Sequence, residues 1–205
     1  GAYSSTAMTY AFAQRLGGGL TGRAGNAGIV IASAVMYLRV LILVAVLAQP
    51  VLLPFAMTIA PALLATAAMA VRLYRSAEPR GAPAPPHNPI ALLPALSFVV
   101  FVALAAVAAR WGEARFGEAG IAVLLLIMGT MDVDAAIVTA GGFEPGKIAP
   151  QSAALALSGT ILANMAVKLG TTLAYGHGAA RSAALALAAS MAILAVSIAV
   201  GYFWL

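Results

Sequence analysis

Asp132 and Asp134 stand two residues apart in Gly129-Thr130-Met131-Asp132-Val133-Asp134-Ala135, within a stretch, 120–142, that is otherwise apolar or small. An ionised carboxylate at a bilayer centre costs roughly 2.5–3.5 kcal/mol on insertion scales. Two of them need water, a bound cation, a basic partner or protonation. On a regular helix, residues i and i+2 point about 200° apart. In an extended stretch they share a side, and Gly129 supplies backbone freedom for a break. The spacing therefore predicts a broken helix near 129–134 in which both acids bind a cation or a proton, with a metal ion as one candidate. The competing reading is a packing ion pair with Arg39 or Lys168, or neutralisation of the acids by protonation.

Other polar residues fall where the same chemistry could use them. Thr160, Asn164, Lys168 and Thr172 recur every four residues, which gives one polar helix face. This face can line a path, or it can serve interhelical hydrogen bonding with Lys168 snorkelling toward a helix end. Arg39 sits mid-span and calls for a carboxylate, so Arg39 and Lys168 are candidate counter-charges or gating residues. Ser4, Ser5 and Thr6 can donate hydroxyls to a path or cap a helix. The acids come from one tripeptide, which does not suit a protease whose two carboxylates share a proton from separate elements. No nucleophile–base pair is visible, so no catalytic residue is assigned and an enzyme is not expected. The chain has no cysteine, and His87 and His177 fall in expected loops.

These residues must be positioned by membrane helices. Of the 205 residues, 63% are hydrophobic and 8% charged, against about a quarter charged in soluble domains. Spanning takes about 20 apolar residues. The stretches 27–48, 51–73, 90–109, 150–173 and 183–205 qualify, and 120–142 is a sixth, interrupted by the acids. Backbone in lipid must satisfy itself, and alternation suited to a barrel is absent. The expectation is an all-α integral membrane protein of about six transmembrane helices. Residues 17–26 read as a glycine-rich loop and 49–50 as a tight turn. The proline-rich segment 75–89 divides the chain into 1–74 and 90–205. If 27–48 and 51–73 form a hairpin, Arg15, Arg23, Arg72, Arg75 and Arg80 fall on one side, expected to be cytoplasmic. The net charge of +5 is scattered at segment ends, which suits anionic lipid rather than nucleic acid.

An internal repeat is also readable. Residues 1–7 align with 129–135, and 26–33 with 151–158, which sets Arg39 opposite Asn164. Each half runs glycine, polar cluster, short helix, loop, helix with a central polar residue, helix. The first repeat is then incomplete, so an upstream segment is expected. Repeat-built transporters place their sites near the midplane between broken helices, where the Ser4–Thr6 and Asp132–Asp134 clusters would face each other.

The runs Gly1-Ala-Tyr-Ser-Ser-Thr-Ala7, Ala32-Ser-Ala-Val-Met-Tyr-Leu-Arg-Val40, Asp132-Val-Asp-Ala135 and Asn164-Met-Ala-Val-Lys168 resemble the uncharacterised membrane domain that follows an MgtC-like domain in MgtC/SapB-type bacterial proteins. The resemblance covers essentially the whole chain. It implies a bacterial inner-membrane setting, an upstream segment or MgtC-like domain as partner, and a slightly raised prior for a divalent cation such as magnesium. No other cofactor is implied, and a homo-oligomer is left open. The expected function is transport or permeation of a small cation or solute. Asp132 and Asp134 would be the ion or proton site, with Ser4, Ser5, Thr6, Thr160 and Asn164 as polar lining. The alternative is a non-transporting module that binds a partner protein or lipid.

Overall fold

The computed structural model describes residues 5–19, 22–77, 107, 111, 123, 125–129, 133–141 and 149–204. Among them are six α-helices and no strands: α1 Ser5–Gly17, α2 Gly22–Leu47, α3 Leu52–Arg75, α4 Val133–Gly141, α5 Pro150–Gly176 and α6 Arg181–Trp204. A further helical stretch covers 125–129. Apart from residue 107, the candidate segment 90–109 lies outside the described residues, as do most of the proline-rich linker, Ser4, Thr130 and Asp132.

Among the described residues, three stretches are long and apolar enough to cross a membrane: Gly22–Leu47, Gln49–Arg75 and Pro150–Phe203. The last holds 54 residues and folds as α5 and α6, joined by a 3-10 turn at His177–Ala180. The outward faces are apolar. On α2 the exposed side chains include Val35, Leu38, Ile42 and Val46; on α3, Leu53, Met57, Leu64 and Val71. Water would penalise such stripes, whereas hydrocarbon does not. The protein is an all-α membrane protein.

The glycine-rich loop is shorter than its composition predicts. Gly22 to Asn26 already belong to α2, which leaves a turn in which Gly19 takes φ +72°. The residues that follow carry enough apolar surface to extend the helix through Gly25. At 49–50 the expected tight turn is a 3-10 turn, Gln49–Val51. Its short connection makes α2 and α3 an antiparallel pair.

Contacts fix the remaining directions. Thr6 meets Asn164, and Gly17 lies against the Tyr175 carbonyl, so α1 runs parallel to α5. Asp134 meets Arg39, and Gly141 packs on Leu47, so α4 runs parallel to α2. Asn26 reaches Ala179 and Ala183, while Met36 reaches Lys168, so α2 and α5 run in opposite directions. Helices α1, α2, α4 and α5 pack as a ring in that order. Across its diagonals, neither α1 and α4 nor α2 and α5 bring Cα atoms within 8 Å. Helices α3 and α6 pack on each other and bridge α2 and α5. Tyr37, Ser190 and Thr66 share buried hydroxyl contacts of 3.1 and 2.6 Å that tie α2, α6 and α3 together.

Candidate functional site

The site is built around one face of α5. Thr160, Asn164, Lys168 and Thr172 are all buried, which places the predicted polar stripe inside the bundle rather than on its surface. The Thr160 hydroxyl is accounted for: it contacts the carbonyls of Leu125 at 3.1 Å and Ala156 at 3.0 Å. Gly129 permits that arrangement. A methyl group there would overlap the Thr160 side chain and come within 2.8 Å of its carbonyl oxygen.

Asn164 Nδ2 donates to Thr6 Oγ1 at 3.2 Å. Its Oδ1 is buried and has no hydrogen-bond partner among the described residues, and the same holds for Thr172 Oγ1. Lys168 lies between them and is 0% exposed. It does not snorkel. The residue is about two turns before the end of α5, and its ammonium points across the ring to donate to Met36 Sδ at 3.0 Å. A thioether is a weak acceptor and brings no compensating charge. Met36 is the residue the sequence reading missed, because nothing in its local run marks it as a partner for a lysine 132 positions away.

The acids divide. Asp132 lies outside the described residues, and so does the 130–132 junction between the helical stretch 125–129 and α4. Asp134 opens α4 and forms an ion pair with Arg39. The pair is asymmetric in exposure, 13% for the acid and 45% for the arginine. Asp134 also acts electrostatically on Lys168. No cluster of three or more His, Asp or Glu residues suited to a metal exists among the described residues.

Ser5 and Thr6 occupy the first turn of α1, and the Ser5 carbonyl accepts from Thr9 Oγ1 at 2.9 Å. The described parts of the two polar clusters do not meet each other. Thr6 meets α5 and Asp134 meets α2, because the ring holds α1 and α4 apart. Thr6 of α1 and Asp134 of α4 thus each lie beside the central polar residue of a long helix.

Neither a curated protein nor a solved structure matches the chain. Over residues 1–176 it matches one family, so that the chain belongs to the family described as Domain of unknown function (DUF4010).

Proposed function

We propose that this protein is a transport or permeation module for a small ion or solute, with its path running along the polar face of α5. The observation that carries this reading is Lys168. Its ammonium is fully buried and held by a thioether, between two unpartnered polar atoms.

Two inverted halves fit the same reading. The alignment of 26–33 with 151–158 sets Arg39 opposite Asn164, and that of 1–7 with 129–135 sets Thr6 opposite Asp134. Both cross-pairs form, Arg39 with Asp134 and Asn164 with Thr6. The long helices that carry them run in opposite directions. One half therefore holds a charged contact and the other a neutral one at matching positions. A bacterial inner membrane is the proposed setting, with Arg15, Arg23, Arg72, Arg75 and Arg181 at the cytoplasmic end, where the helix directions gather all five. An adjoining MgtC-like domain remains part of the proposal through the sequence resemblance alone.

The test is flux across proteoliposomes. Lys168→Met and Asp134→Asn should each abolish movement of a candidate solute while the purified variants stay folded. The Arg39–Asp134 pair favours a second reading, a non-transporting module with structural charges. Under that reading Asp134→Asn destabilises the protein by about 1–3 kcal/mol, read as a lower melting temperature, and adding Arg39→Leu recovers part of the loss.

A further inference from the structure

Resting on the transport reading and giving its site a switch, we propose that Asp134 is exchanged between two bases, Arg39 on α2 and Lys168 on α5. Three observations converge. The first is placement. Helix α4 packs on both α2 and α5, and Asp134 stands in its first turn. The second is proximity. Met36 and Arg39 are three residues apart on α2, so their side chains are neighbours. The Lys168 ammonium lies on Met36 Sδ at 3.0 Å, and the Asp134 carboxylate lies on Arg39. The two contacts thus sit side by side, and Asp134 acts electrostatically on Lys168.

The third observation is a mismatch of strengths. A charge-assisted bond to a carboxylate is about twice as strong as a neutral one, whereas a thioether is a weak acceptor. Lys168 therefore rests on the poorer of two neighbouring acceptors while Arg39 holds the better one. The ammonium is a compact charge on a flexible four-carbon stem, so side-chain rotation carries it along α2 from Met36 to the acid. Arg39 is the base with space to withdraw, its side chain 45% exposed against 13% for the acid. The two bases stand on long helices of opposite direction, one from each half. Exchange changes which half α4 is tied to and leaves the net charge of the three groups as it was.

The experiment is carbodiimide coupling of the purified full chain in detergent, with an apolar carbodiimide that enters the bundle. Where an amine touches a carboxyl group an amide bond forms, and the water lost converts the carbodiimide to its urea. An arginine guanidinium does not couple, so the product reports on the lysine alone. Peptide mass spectrometry should find Lys168 joined to Asp134. Asp134→Asn should lose that product and Asp132→Asn should keep it. In Arg39→Leu the yield should rise at least about threefold, because the acid loses its rival base. No amide at Lys168 would overturn the proposal. So would an amide to Asp132 alone, or equal yields with and without Arg39. Should Arg39→Leu fail to fold, Met36→Leu takes its place. It nearly conserves volume and removes the sulfur acceptor, so it should raise the yield as well, and an unchanged yield there overturns the proposal by itself. Transport is read separately. Coupling that rises in Arg39→Leu, in a protein without flux in proteoliposomes, sinks the transport reading and leaves the exchange. Flux without the Lys168–Asp134 amide sinks the exchange alone.

Discussion

Removing the Asn26 amide would disturb two helix ends at once. Its Nδ2 donates to the Ala179 carbonyl at 2.8 Å, and its Oδ1 accepts from the Ala183 N–H at 2.8 Å. The first α6 turn has orphan N–H groups, and a side chain 157 positions earlier satisfies one of them. Asn26→Leu leaves a buried donor and a buried acceptor unmet, which costs about 2–4 kcal/mol. Equilibrium unfolding should show this as a lower midpoint. Asn26→Asp keeps the acceptor, so it should recover part of the loss. A midpoint for Asn26→Leu equal to that of the parent would remove Asn26 from the account of the turn. At this scale the sequence is partly legible. The polar stripe on α5 can be read because residues four apart share a helix face. The burial of Lys168 cannot, because depth depends on which helices close over that face. Arg39 shows the same limit in reverse. Its need for a carboxylate follows from its place mid-span, but its half-exposure depends on where α4 begins.

Among the helices, glycine decides where backbones touch. A Cβ on Gly129 would strike Thr160, side chain and backbone alike, whereas one on Gly170 meets nothing within 4 Å. Both would be alanine-tolerant on helix propensity alone. The contrast predicts opposite signs. Gly129→Ala should destabilise by about 1–3 kcal/mol through overpacking. Gly170→Ala should be neutral or stabilise by up to about 1 kcal/mol through propensity. Melting of the two variants side by side checks both. Gly28 belongs with Gly129, since a methyl group there comes within 2.8 Å of the Phe12 ring. The helices themselves are readable from length and apolarity. The start of α2 is not, because three glycines and an asparagine in its first turns have the composition of a loop. Their helical state rests on the packing of Gly25, Asn26 and Ala27, all buried.

The whole molecule carries its described bases unevenly. Arg15, Arg23, Arg72, Arg75 and Arg181 gather at one end, and Arg39 and Lys168 lie within the spans. Because the chain has no native cysteine, single cysteines report sidedness cleanly. Cysteines at Gly19 and Gly178 should label from the same side with a membrane-impermeant maleimide, and cysteines at Gln49 and Gln151 from the other. If Gly19 and Gln49 labelled from the same side, the antiparallel arrangement would be wrong. The direction of each half cannot be read from its own residues. It emerges only from contacts between distant segments, such as Thr6 with Asn164. The Lys168 ammonium has a further consequence at this scale, in electrical terms. A charge moved across a full membrane field gains or loses about 2.3 kcal/mol per 100 mV. An amine that swings from Met36 toward either face crosses part of that drop, on the order of 1 kcal/mol for half of it. The resting potential would then bias which way the protein is poised. Polarising the vesicles should change the rate in the parent, and a rate independent of voltage would remove this charge movement from the account.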